Sequence, residues 1–290
     1  GGAIYVDSSS TFIQFSVLQS NYLMNGVNGS FGGGIYFNFG GVVLKNCQIS
    51  FNDAESGGGV FFNMTKRSEV LESLVKGNGT SRSSSNYGSG GIVFNQTRNG
   101  LIRESDFVQN TCNYRVGGIG FYNDTNTLVE SCLFYENSGD LGGGAVYTWK
   151  SVIRIRDCTF IGNTTSLREG GAIKALEGDV RIRNCSFFRN HAGQKGKGLY
   201  LVRNDALIFK CTFHNNTGPG TAFTIDNSLS TPPNGCFIWN SILSDSSMAT
   251  VNPYPIWTSL GNNIFSDAPS FTTSLDQVNV DSISLDLEPL

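Results

Sequence analysis

Apolar residues return along this chain in two interleaved patterns. The first follows glycine pairs: Gly1-Gly2-Ala3-Ile4, Gly32-Gly33-Gly34-Ile35, Gly57-Gly58-Gly59-Val60, Ser89-Gly90-Gly91-Ile92, Gly117-Gly118-Ile119, Gly142-Gly143-Gly144 before Val146, and Gly170-Gly171-Ala172-Ile173. Weaker copies end at Leu199 and Phe223. The second reads apolar-x-x-Cys/Ser-x-apolar-x-x-Asn, as in Val129…Cys132-Phe134-Asn137, Ile155…Cys158-Phe160-Asn163, Ile182…Cys185-Phe187-Asn190 and Ile208…Cys211-Phe213-Asn216. Both share one period and stay in phase. A period of roughly 24 to roughly 32 residues is the signature of a solenoid.

Within the repeat the alternation has period two. Arg alternates with β-branched residues in Val152-Ile153-Arg154-Ile155-Arg156 and in Val180-Arg181-Ile182-Arg183. That is the pattern of a half-buried strand. Each repeat therefore holds three short strands: one after the glycines, one ending before the Cys/Ser, and one through the Phe. The predicted fold is all-β, a right-handed parallel β-helix of about ten coils over 1–268, with 269–290 as a closing segment, extra coil or exported strand. A leucine-rich repeat lacks its leucine framework here, and a propeller blade needs ~40 or more residues. Stacking at ~4.8 Å gives a rod roughly 45 to roughly 50 Å long. Phe107, Phe134, Phe160, Phe187 and Phe213 should stack inside it, as should Phe37, Phe62, Phe94 and Phe121. The glycine pairs are expected to supply positive φ and close approach between coils. The terminal Asn of each repeat tolerates the left-handed conformation, and stacked on successive coils such residues can pass side-chain hydrogen bonds up the axis as a ladder.

The alternating GGAI and FxxN motifs, at Gly1–Ile4, Gly170–Ile173 and the repeats ending in Asn110, Asn137, Asn163, Asn190 and Asn216, resemble the repeats of chlamydial polymorphic outer-membrane proteins. They also resemble those of bacterial and protist surface proteins that carry the same repeat. The resemblance covers nearly the whole chain. It implies an extracellular or surface-displayed β-helix serving adhesion or structure, and it brings no catalytic residues. The autotransporter barrel of the chlamydial proteins has no counterpart in this sequence.

Composition narrows the partners. Net charge is −3 and charged residues make up 15% of the chain. No nucleic-acid footprint is visible in that balance. No apolar run approaches the ~20 residues that span a bilayer, so membrane insertion is not expected. The chain starts inside a repeat without an initiator Met or signal peptide, which reads as a processed or partial chain. Sequons stand at Asn28, Asn63, Asn78, Asn95, Asn123, Asn163, Asn184 and Asn215. A secreted glycoprotein is expected, with glycans at Asn28, Asn63, Asn95, Asn123 and Asn215 and with Asn78 and Asn163 bare inside the ladder. Cys132, Cys158, Cys185 and Cys211 fill one slot on successive coils and read as an inward stack of thiols. Cys112 and Cys236 lie outside it and are the better disulfide candidates. CxxC spacing is missing, so neither zinc nor another cofactor is expected.

Candidate chemistry is sparse. Arg154 and Arg156 should lie beside Arg181 and Arg183, forming an anionic-ligand patch or, with Glu130, a solvated ion-paired face. A sulfated or uronic surface polysaccharide is the ligand to test there. Tyr5, Tyr36 and Phe61 take an outward slot on consecutive coils and form a candidate contact face for sugars or another chain, unless a loop packs over them. His191 and His214 read as turn residues, and so do Asp140 and Glu169. An enzyme that degrades polysaccharide would need outward carboxylates converging with a basic residue. The favoured function is an extracellular structural and adhesive protein, self-associating end to end when the closing segment of one subunit pairs with the bare first coil of the next. The alternatives are a polysaccharide lyase or hydrolase and a glycan-binding module.

Overall fold

In the computed structural model the described residues are 2–23, 29–80, 87–221, 223–226, 235–244, 249–250, 257–265 and 275–277. Among them every regular element is a strand. The strands come in threes: Ile4–Asp7, Thr11–Gln14 and Val17–Gln19 make one turn, and Ile35–Asn38, Val42–Lys45 and Gln48–Ser50 make the next. Each strand pairs in parallel with its counterpart one turn later. First strands show no slip: Ile4 faces Ile35, Ile35 faces Val60, Val60 faces Ile92, and Ile92 faces Ile119. Eight turns are complete. Two further turns of shorter strands follow, starting at Phe223–Asp226 and Ala249–Thr250. The turns are called rungs below, numbered from Ile4–Asp7.

The third strands form a ten-stranded sheet of their own. The first and second strands share an 18-stranded sheet, because at Ile173–Arg183 and Leu199–Phe209 the chain passes the corner as one continuous strand. A further five-stranded sheet of two-residue strands, from Gly79–Thr80 to His191–Ala192, lies beyond the third strand. The repeat pattern carries no signal for it. Of the closing segment 269–290, only 275–277 are described. Gln277 bridges to Ile264, and the Asp276 carboxylate accepts from the Asn263 backbone N–H (2.9 Å) and Nδ2 (3.0 Å). The alternating residues Val278, Val280, Ile283, Leu285 and Leu287 lie outside the described residues.

In-register pairing turns sequence period into columns of like side chains. All nine phenylalanines expected inside are buried. From Phe107 to Phe213 the rings stack on successive rungs with centroids 4.4–5.0 Å apart. Each such pair adds about 0.5 to about 1.5 kcal/mol beyond the apolar area it buries. The glycine pairs divide their labour. Gly170 has a φ of +78°, while a Cβ on Gly171 would lie 2.0 Å from the Lys197 carbonyl oxygen.

The asparagine ladder is formed. Asn52, Asn78, Asn110, Asn137, Asn163 and Asn190 are fully buried. The left-handed residue is not the Asn but the one before it: Gln109, Glu136, Arg189 and Asn215 have φ between 51° and 54°. The turn has to be made there so that the following amide points inward and reaches the next rung.

Candidate functional site

The second strand of rungs six and seven carries the arginines. Alternation sends Ile153, Ile155, Val180 and Ile182 into the core and leaves Arg154, Arg156, Arg181 and Arg183 exposed. Register places Arg154 beside Arg181 and Arg156 beside Arg183. Carried two rungs further, the same columns read Leu207 then Phe237, and Phe209 then Trp239. Leu207, Phe237 and Trp239 are exposed large apolar groups. Together the four arginines, Leu207, Phe209 and Trp239 line a groove of about 440 Å³ that no carboxylate lines. The sequence reading misses this aromatic half, although the same two-residue alternation runs through it.

Local contacts hold these arginines in place. Arg156 pairs with Glu130 at 2.6 Å and Arg181 with Asp179 at 3.2 Å. Arg154 donates through Nη1 to Asn126 Oδ1 at 2.7 Å, and the Arg183 guanidinium sits 5.6 Å from the Phe209 ring centre. The cross-rung Glu130 partner expected for a solvated face is therefore present, but it neutralises only one guanidinium. Among the described residues Arg154 and Arg183 have no carboxylate partner. Like charges ~5 Å apart in water repel by only about 1 kcal/mol, so an exposed sheet tolerates the cluster and keeps its positive potential.

The candidate contact face is not the outward row expected. Tyr5, Tyr36 and Phe61 do stack on successive rungs, at 5.4 and 5.6 Å. Only Tyr5 is freely exposed, and Phe61 is 2% exposed. Phe31 lies against Phe61 with ring centres 4.7 Å apart, and Val93, Val116, Tyr122 and Tyr147 extend the cover into a second apolar cluster. Connecting segments between rungs pack over the row at Phe61, so that end is an interior, Tyr36 is partly covered and only Tyr5 is open.

The sequons sort by burial. Asn63 and Asn95, expected to project freely, do not. Asn63 Nδ2 donates to Asn38 Oδ1 and Asn95 Nδ2 to Asn63 Oδ1, each at 2.8 Å, in a second ladder that leaves Asn95 buried. Asn78 and Asn163 each spend Nδ2 on a carbonyl and on the next ladder oxygen. Asn123 is half-buried, whereas Asn184 and Asn215 are exposed. Asn28 lies outside the described residues.

All seven cysteines are free and buried. Cys112 and Cys236, the better disulfide candidates by position, are both free, and a bond between them is excluded by distance. Cys112 sits on rung four and Cys236 on rung nine. At ~4.8 Å per rung that is a separation on the order of 24 Å, against a Cα limit of ~7 Å for a disulfide. In the cysteine column each thiol donates to the carbonyl two residues back, as Cys158 does to Arg156 at 3.1 Å.

One polar cluster on the first-strand face contains Glu169, a turn residue by its sequence position. Lys174 is 9% exposed and donates to Glu169 Oε2 at 3.0 Å and to the Leu141 carbonyl at 2.9 Å. Arg115, Arg168 and Tyr200 border the same cleft of about 410 Å³, and the Tyr200 hydroxyl donates to Asp226 at 3.1 Å. Burial lowers the Lys174 pKa, opposed by Glu169. His191 and His214 hydrogen-bond to Thr217 and Ser244, outside this cleft. Among the described residues no group of three or more His, Cys, Asp or Glu is placed to hold a metal ion.

The model of a family described as the right-handed β-helix region matches the chain over residues 1–179 and again over 90–267. No curated protein and no solved structure gives a significant match.

Proposed function

Since the chain belongs to the right-handed β-helix family, we propose that it is an extracellular structural and adhesive rod whose arginine–aromatic groove holds an acidic polysaccharide. The in-register doubling of Arg154 with Arg181 and of Arg156 with Arg183, beside Leu207, Phe209 and Trp239, carries this reading. A uronic or sulfated glycan repeats its anions along a line, as the rungs repeat their guanidinium groups. Arginine suits such oxyanions because its planar fork donates two parallel hydrogen bonds. Sugar ring faces are apolar enough to lie on Phe209 and Trp239. The surface setting in this reading is taken from the resemblance of the repeats to those of surface-displayed proteins. Rods of this kind joined end to end would make a surface fibre. The test is retention on immobilised polygalacturonate and chondroitin sulfate compared with neutral dextran. The protein is expected to be held by the acidic supports and released by salt. The Arg154→Ala, Arg156→Ala, Arg181→Ala, Arg183→Ala variant is expected to pass through. Equal retention on dextran would sink the reading.

A second reading, a polysaccharide-degrading enzyme, draws on Glu169 and Lys174, a carboxylate and an amine converging in a cleft. Against it, Lys174 is tied to both Glu169 and a backbone carbonyl, and Asp226 to Tyr200, so each group is engaged within the fold. Lys174→Met decides between them. A structural pair predicts lost stability and no product from any acidic polysaccharide in the wild type; an acid–base pair predicts product that this variant no longer forms.

A further inference from the structure

The arginine groove does not stand alone on its side of the rod. On rungs one to four, where the first strand turns into the second, a groove of about 990 Å³ is lined by Phe12, Phe39, Met64, Lys66, Arg67 and Arg98, with no carboxylate among its lining residues. Lys66 and Arg98 face each other on adjacent rungs, and the Arg67 N–H donates to the Arg98 carbonyl at 2.9 Å. Among the described residues none of these three cations makes an ion pair. The corner groove is joined to the arginine groove by side chains. Asn126 Nδ2 donates to Asn99 Oδ1 at 2.7 Å, and Asn126 Oδ1 accepts from Arg154 Nη1 at 2.7 Å. Asn99 lines the first groove and Arg154 the second.

We infer that the two grooves form one axial track, and that its occupant is a linear acidic polysaccharide long enough to lie on both. This rests on the polyanion reading of the arginine groove and adds a second binding site, Lys66, Arg67 and Arg98. The cations step along the axis on rungs three, four, six and seven, with Asn126 on rung five as a neutral amide between them. From Lys66 to Arg181 is four rungs, roughly 19 Å at ~4.8 Å each. A chain shorter than that span reaches one cluster only. A longer one binds the second cluster as an intramolecular event, at raised effective concentration. Apolar groups alternate with the cations at both ends, Phe39 and Met64 at one and Phe209 and Trp239 at the other. A polymer with both ring faces and anions meets such a surface better than one with a continuous phosphate charge.

Calorimetric titration with galacturonate or sulfated oligosaccharides of graded length tests this. Wild-type affinity is expected to rise steeply once the oligomer exceeds the span between the clusters. Lys66→Ala, Arg67→Ala, Arg98→Ala is expected to lower long-oligomer affinity by about tenfold or more while leaving short-oligomer affinity unchanged. The unfolding midpoint of that variant, expected at the wild-type value because all three side chains are exposed, shows that it folds. Length-independent affinity, indifferent to that variant, overturns the track and leaves the single groove standing. Failure of every oligomer to bind the wild type overturns both. Single-stranded nucleic acid competing as well as the long oligosaccharide overturns the assignment to a glycan.

Discussion

Asn137 stands one rung from Asn163, and both its backbone N–H and its Nδ2 donate to the same Asn163 Oδ1, each at 3.0 Å. Its remaining Nδ2 hydrogen goes to the Phe107 carbonyl at 2.8 Å, and its own Oδ1 accepts two bonds from Asn110. Replacing Asn137 by Ala therefore strands buried donors and acceptors on both neighbouring rungs. Each unsatisfied group costs about 1 to about 3 kcal/mol, so Asn137→Ala should lose on the order of 4 kcal/mol in urea unfolding. Asn21→Ala, at the half-buried end of the ladder, should lose clearly less.

Asp124 predicts a pH dependence of unusual sign. It is buried, accepts from Thr97 Oγ1, and has one carboxylate oxygen without a hydrogen-bond partner. Burial pushes its pKa up from 3.8 to about 6. The folded chain then keeps a proton that the unfolded chain gives up, so this group's stabilising contribution is whole below about pH 4 and is lost as pH rises through about 6. Asp124→Asn removes the loss. Between about pH 4.5 and about pH 7.5 the stability difference should shift toward the Asn variant by about 2 kcal/mol, read from paired urea midpoints.

The thiols should be inert. Burial pushes the Cys185 and Cys236 pKa values well above the ordinary one, and no cysteine is exposed. Maleimide should label no cysteine in the native protein and seven after denaturation, and reductant should not move the unfolding midpoint. Ser73, Ser105 and Ser241 occupy the column of Cys158, and each hydroxyl donates to the carbonyl two residues back as the thiol does. Cys158→Ser should therefore cost no more than about 1 kcal/mol. Cys158→Val should cost more, because it removes the donor to the Arg156 carbonyl.

Ser131 is exposed and has a φ of 51°. That conformation costs an L-residue about 1 to about 2 kcal/mol. Ser131→Gly relieves this and gives back about 0.5 to about 1 kcal/mol in chain entropy, so it should be neutral to stabilising by up to about 1 kcal/mol. Ser131→Val should destabilise. Thermal unfolding of the pair checks both signs.

The columns are legible in the sequence because a solenoid copies one dihedral pattern many times. Phe134 over Phe160, the Cys column and Arg154 beside Arg181 all follow from phase alone. Three things stay hidden for physical reasons. The left-handed corners are occupied by Phe39, Met64, Gln96 and Lys150, residue types that carry no turn signal, because surrounding rungs impose the geometry. The cover over Phe61 comes from connecting segments of unequal length, such as the one carrying Phe31, which break the period that makes the rest readable. Asn63 and Asn95 fall at an outward slot, and only register shows that each outward amide meets another amide. The arginine half of the binding face is visible in the sequence. Phe209 and Trp239 escape because they follow the arginines one and two rungs later, in separate repeats.

From Asn21 to Asn190 each amide donates an Nδ2 hydrogen to the Oδ1 of the next Asn along the chain, Asn216 being the last acceptor. Their dipoles therefore add, and the column behaves as a thin electret, negative on the Asn21 side and positive on the Asn216 side. Such a column is mutually polarised, so its middle links hold more tightly than its outermost ones. A charge approaching along the axis would feel opposite signs from the two sides, which gives the rod an inherent sense of direction.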